Sequence, residues 1–314
     1  MTVASAAGAM LVPCCASVPA QPAPPSTPRA TSEQPKTQAA EKTELHAKPT
    51  LIAEHREVVP GERTRLVLKF AIRPHWHMYW NGQNDTGLPA SWQTRDWPRG
   101  FEITASGWPG PRRMVLPGDI RDHIYEDEFC VVLEVQVPSD AKPGSTVTLP
   151  LHVEWMVCDT MCVLEQQDVS IALAVVEKRA PKREGERMEP GVWAVQAARA
   201  AIPRGGTLAL EATSRATIRR DASELVLNVA GATEIEFYPA SDASEPVSPI
   251  EGTAARGDAL RVKFADAAAT GKAAGIVAWR TEPTSRWEYD WVSPEQEHTN
   301  EGKVGEPASK ADAQ

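Results

Sequence analysis

Cysteine is scarce in this chain, with five in 314 residues. Cys14 and Cys15 lie in an apolar leader and Cys130 stands alone in an apolar run, so Cys158 and Cys162 are the one close pair beyond the leader. Basic runs are also lacking. The 33 Lys and Arg against 42 Asp and Glu leave a net charge of −9, which speaks against nucleic acid or an anionic membrane as a partner. No apolar stretch approaches the roughly 18–20 residues needed to cross a bilayer, so no transmembrane segment is expected. Long helical patterns are few, while Pro is abundant at 27 residues. With many Val and Thr, that combination predicts an all-β protein. Tyr and Phe number only four and five, yet there are ten Trp. Sheet packing accounts for most Trp; a stacking platform for sugars would require them clustered and exposed.

Residues 1–20 are small and apolar and end in Val-Pro-Ala, with no Lys or Arg before Arg29. They read as a truncated signal segment, so the chain is expected to be exported to the periplasm or beyond. Lipidation would need Cys14 or Cys15, and Pro13 fits that poorly. Residues 21–50 read as a Pro-rich linker. Residues 51–177 form a first β-rich domain. Its alternating runs lie at Arg65–Ile72, Phe129–Val137, Thr148–Val157 and Val169–Leu173. A charged linker covers 178–190, and a short helix spans Val192 to Ala201. A second β-sandwich is expected over 191–293, with strands at Thr207–Glu211, Glu224–Val229, Glu234–Tyr238, Leu260–Phe264, Gly275–Trp279 and Trp287–Val292. Residues 294–314 read as a disordered acidic tail.

The cysteine pair constrains its own geometry. In an extended strand, positions four apart stand roughly 13 Å from one another, whereas a disulfide needs Cα atoms within about 7 Å. Strand alternation up to Val157 and again from Val163 puts the reversal between them, at a hairpin tip; a single helical turn would serve too. Closing so short a loop is worth about 2 kcal/mol, little for strands this apolar. An exposed tip also suits attack by a partner thiolate. Redox exchange, a structural staple and metal binding all remain open from the residues alone. Glu154, Asp159, Glu165 and Asp168 surround the pair, and the nearest basic residue in sequence is His152. Nothing local lowers a thiol pKa, so the pair looks suited to being attacked rather than attacking. His75 and His77 would share a face on a strand, and with the two cysteines form a candidate copper or zinc site. Cys130 reads as a small buried hydrophobe.

A string of motifs carries a resemblance: His75-Trp76-His77-Met78-Tyr79-Trp80-Asn81, Asp85-Thr86-Gly87-Leu88-Pro89, Gly107-Trp108-Pro109-Gly110-Pro111, Tyr125-Glu126 and Trp155-Met156-Val157-Cys158-Asp159-Thr160-Met161-Cys162. In this order they resemble the amino-terminal periplasmic region of DsbD-type protein-disulfide reductases, especially the ScsB-like branch, over roughly residues 50–292. The resemblance implies two immunoglobulin-like β-sandwich domains, the first carrying a redox pair, with Cys158 and Cys162 as the catalytic residues. By motif position Cys162 forms mixed disulfides and Cys158 resolves them. A cap segment shielding the pair would lie around Arg112 to Arg121. The implied function is a relay of reducing equivalents without an organic cofactor. The electron donor would be thioredoxin-like, served by a DsbD-type membrane domain in trans, because neither family domain has a counterpart in these residues. The acceptor would be a periplasmic thiol oxidoreductase. The association of ScsB-like proteins with copper tolerance makes copper the favoured ion for a metal-binding alternative at His75 and His77. A Trp-rich interaction domain with a structural disulfide is the third possibility.

Overall fold

The computed structural model describes residues 44–181, 185 and 187–293. The expected signal segment, the disordered tail and parts of both linkers lie outside the described residues. Eleven strands build the first half of the described chain: β1 (Ala47–Ala53), β2 (Glu57–Val58), β3 (Arg63–Ile72), β4 (His77–Tyr79), β5 (Ser91–Gln93), β6 (Glu102–Gly107), β7 (Arg112–Leu116), β8 (Ile120–Tyr125), β9 (Glu128–Gln136), β10 (Thr146–Cys158) and β11 (Cys162–Val175). They form two facing sheets. One runs β1-β3-β9-β6, and the other β2-β11-β10-β4-β8-β7, with β5 on β10. Because β1 begins at Ala47, residues 47–50 are strand and not linker.

Period-two alternation fills the space between the sheets. Leu66, Leu68 and Phe70 of β3 meet Leu149, Leu151, Val153 and Trp155 of β10 in one buried cluster. Phe70 meets Trp155 edge-on at 5.7 Å between ring centroids, a favoured aromatic geometry. Val67 and Val132 point out of this core, yet both are fully buried. Helix α1 (Pro190–Ala201) accounts for that, since its Val195 and Ala198 cover them. Pro190 opens α1 at a position where its missing N–H costs nothing.

The second half contains β12 (Thr217–Asp221), β13 (Glu224–Asn228), β14 (Glu234–Pro239), β15 (Ala254–Arg256), β16 (Ala259–Lys263), a one-turn helix α2 (Ala267–Gly271), β17 (Gly275–Arg280) and β18 (Glu288–Val292). Sheets β12-β13-β16 and β15-β14-β17-β18 face each other, so the protein consists of two immunoglobulin-like β-sandwiches. The strand expected at Thr207–Glu211 is absent. Leu208 has φ +65, and the Arg199 guanidinium donates to the carbonyls of Leu208 and Ala209, which holds the segment as a turn. The strand instead starts at Thr217.

The two sandwiches share a wall. Along β14 and β17, Ile235, Phe237, Val277 and Trp279 face the second core. The alternate residues Tyr238, Ile276 and Ala278 pack into the first, against Trp80, Trp108 and Tyr125. Gly275 sits at the tightest point of this pairing, where a Cβ would lie 2.0 Å from the Tyr238 carbonyl oxygen. Of the ten Trp, only Trp193 is exposed, so the aromatics pack the sandwiches and form no open sugar platform.

His123 is enclosed at this wall. Its ring lies 4.5 Å from that of Tyr238, and its Nδ1 is 2.8 Å from the Gln83 carbonyl. Burial pushes its pKa from 6.5 down to about 3. Between those values the unfolded chain binds a proton that the folded chain refuses. The stability present above pH 6.5 is therefore lost as pH falls toward about 3. From pH 7 to pH 5 this group alone costs about 2 kcal/mol. Denaturation measured against pH should show that slope in the parent protein, flattened in His123→Gln. An unchanged slope in the variant would assign the pH dependence elsewhere.

Candidate functional site

Strands β10 and β11 are paired without interruption from Thr146 opposite Ala174 to Cys158 opposite Cys162. The two cysteines are thus the last facing pair before the tip Asp159-Thr160-Met161. Their Cα atoms are 4.1 Å apart, and they form a disulfide. The chain reversal expected from the flanking alternation is a hairpin, not a helical turn.

The two sulfurs occupy different environments. Cys158 is 2% exposed, whereas Cys162 is exposed. Tyr79, Ile124 and Cys158 form a small apolar cluster, joined by Met114 and Met156. Met114 and Ile124 come from the β7–β8 hairpin; the segment expected to shield the pair, Arg112 to Arg121, takes in Met114 but ends before Ile124. On the open side, Met161 and Leu164 are 67% and 71% exposed, an apolar surround for the outer sulfur.

Strand β4 brings the polar groups. His77 lies opposite Cys158 in the ladder. The Tyr79 hydroxyl is 3.8 Å from Cys162 Sγ and 3.3 Å from His77 Nε2. Burial lowers the His77 pKa against the pull of Asp122, Glu126 and Asp159, so the imidazole stays neutral at physiological pH. Burial raises the Tyr79 phenol, which stays protonated. Gly87 makes room for this tyrosine: a Cβ there would sit 2.1 Å from its ring. Sequence reasoning missed Tyr79, Ile124 and Met114, all distant from the cysteines in sequence. The His75–Asn81 motif contained the first, and the Arg112–Arg121 segment the last.

Two expectations change. His75 is not on a strand with His77. It occupies a turn with φ +73, and the shared face required for a metal pair is lost. Both cysteines are also bonded to each other, and among the described residues no group of three His, Cys, Asp or Glu side chains is arranged to hold a metal ion. Glu165, counted among the acidic neighbours of the pair, turns away. It is buried and accepts bonds from the His46 backbone N–H at 2.9 Å, the Ala47 N–H and the Trp155 indole. It thereby ties β1 to the hairpin. Cys130 is half-buried, and burial raises its thiol pKa.

Residues 48–174 match the family described as thiol:disulfide interchange protein DsbD, N-terminal. The matched segment runs from β1 to β11. Its boundaries enclose both cysteines, Tyr79 and the β7–β8 hairpin. Among solved structures, the chain is similar to the N-terminal periplasmic domain of ScsB from Proteus mirabilis. That match has 18% identity, covers 81% of this chain and 96% of that one, and has a TM-score of 0.47. The reduced N-terminal domain of Neisseria meningitidis DsbD matches at 14% identity over 40% of this chain and 83% of that one, with a TM-score of 0.25. No curated protein matches. Among the described residues no helix is long and apolar enough to cross a membrane.

Proposed function

We propose that the protein is a periplasmic thiol–disulfide exchange module that relays reducing equivalents through Cys158 and Cys162. The observation that carries this reading is the unequal burial of the two sulfurs at the tip of a DsbD-type hairpin. A donor thiolate can reach the exposed Cys162, while the buried Cys158 is the inward leaving group. The pair ends a ladder already joined along its whole length, so a staple adds little there.

The donor is a thioredoxin-like dithiol. Its thiolate attacks Cys162 Sγ, the Cys158–Cys162 bond breaks, and Cys158 leaves with the electron pair and takes up a proton. The donor's second thiolate then attacks its own mixed-disulfide sulfur and releases Cys162, so two electrons have moved and the donor is oxidised. In the second half-reaction the Cys162 thiolate attacks the disulfide of a periplasmic thiol oxidoreductase. Cys158 resolves that mixed disulfide, which restores the Cys158–Cys162 bond and frees the acceptor as a dithiol. No organic cofactor is needed. Tyr79 and neutral His77 form a short proton path beside Cys162, and exposed Met161 and Leu164 give the incoming protein an apolar landing.

Mixing the oxidised protein with a reduced thioredoxin-type donor tests this reading. We expect one equivalent of donor to be oxidised per chain and two thiols to appear at Cys158 and Cys162. A disulfide untouched by excess donor would exclude the relay.

A further inference from the structure

Strands β7 and β8 form a two-faced hairpin. Met114 and Ile124 point to Cys158. On the same face Asp122 accepts from the Asp85 and Thr86 N–H groups and from the Thr86 hydroxyl. The alternate residues point the other way. Arg113 Nη2 donates to the Ile250 carbonyl at 2.5 Å, and Arg121 Nη1 donates to the Pro249 carbonyl at 2.9 Å. Both acceptors belong to the second sandwich. His123, on the Arg121 face, packs on Tyr238 of the same sandwich. The chain entering the hairpin's neighbour is held as well: Gln83 pairs with the Pro239 carbonyl through its N–H and with the Ala243 carbonyl through its side chain.

We propose that the second sandwich acts as a clamp, with Arg113 and Arg121 as positioning residues that hold the β7–β8 hairpin over Cys158. Arg121 is 1% exposed, and a buried guanidinium is expensive unless it is well partnered. Burial lowers its pKa, and the carboxylates of Asp85 and Glu245 oppose that. An apolar residue would line this wall at lower cost. What an arginine adds is a directed bond to fixed backbone carbonyls, one on each strand of the hairpin. Since β7 is the outermost strand of its sheet, it has no further strand to hold it. Besides β8, the packing of Met114 and the Arg112–Glu126 ion pair at 2.7 Å, its position depends on these two side chains. Loosening them frees Met114 and Ile124 together and opens the inner sulfur, while Cys162 on the far strand is already exposed. The unequal reactivity of the two thiols is thus set partly by a sandwich that carries no redox group. The shield stands on geometry alone, and only its use in exchange rests on the relay reading.

The test uses the full chain, reduced and then pulsed with iodoacetamide, with alkylation at Cys158 and Cys162 quantified separately by mass spectrometry. In the parent protein Cys158 should react much more slowly than Cys162. Arg121→Met and Arg113→Ala should each raise the Cys158 rate by roughly tenfold and leave Cys162 within about twofold. Arg121→Lys, which retains one charged donor, should restore most of the protection. Circular dichroism verifies that each variant is folded; should Arg121→Met fail to fold, Arg113→Ala carries the test. Folded variants with an unchanged Cys158 rate would overturn the clamp, as would equal rates for both cysteines in the parent protein. Donor oxidation, assayed separately, distinguishes the failures. A lost relay with the expected alkylation pattern removes the function and spares the clamp, and the converse removes only the clamp.

Discussion

With Cys158 replaced by alanine, the reduced protein attacks an aromatic disulfide and stops at one stable mixed disulfide per chain, on Cys162. With Cys162 replaced instead, the remaining thiol reacts at least about a hundredfold more slowly, because Cys158 must wait for a local opening. The difference follows from exposure: Cys158 is 2% exposed and packs under Ile124 and Met114, whereas Cys162 faces solvent with Met161. Stopped-flow absorbance of the released aromatic thiol gives both rates. Equal rates, or a faster Cys158, would reverse the assignment of the outer sulfur. Neither variant can complete a two-electron cycle, since the resolving step needs both sulfurs.

The second large effect is on stability. Asp122 is fully buried and satisfies three donors, the Asp85 and Thr86 N–H groups at 2.9 and 3.1 Å and the Thr86 hydroxyl at 2.6 Å. Asp122→Ala takes the acceptor from the Thr86 N–H and hydroxyl, while the Asp85 N–H keeps the Arg121 carbonyl at 3.1 Å. At about 1–3 kcal/mol for a buried group left unsatisfied, the loss should reach about 3 kcal/mol or more. Asp122→Asn keeps one acceptor oxygen and should recover about half of it. Urea denaturation reads both from the midpoint, with an unchanged slope if the unfolded state is the same. A loss below about 1 kcal/mol would mean that the 80–89 segment is held by other contacts. That segment carries Gly87, the space for the Tyr79 ring, so the effect reaches the redox site.

The parts of this fold that were legible in sequence are those where one strand has one buried face. β10 alternates most cleanly because its polar positions meet solvent or a charged neighbour, and β3 and β9 depart from alternation where α1 buries Val67 and Val132 on the second face. The hairpin at the cysteines followed from the same alternation. β8 was not legible for the opposite reason. Arg121, Asp122 and His123 are consecutive and all buried, because one face meets the 80–89 segment and the other the second sandwich. Their partners lie about 40 and 130 residues away, and a polar triplet without them reads as a loop. The same holds for Glu165, which reads as a solvated charge near the cysteines but is claimed by His46, 119 residues earlier. The histidine pair failed on backbone conformation: the turn at His75 ends the strand face that a shared metal site required. The acidic character around the pair was read correctly in part, since Asp159 stays at the tip while Glu165 is turned away.

The central claim is that Cys158–Cys162 cycles. It is tested most directly by equilibrating the protein across glutathione buffers of graded poise, trapping the thiols and locating them by mass spectrometry. A relay predicts a reversible two-electron transition at these two residues, at a potential above roughly −300 mV. A bond that stays closed at the most reducing poise would contradict the relay and leave the disulfide a structural staple.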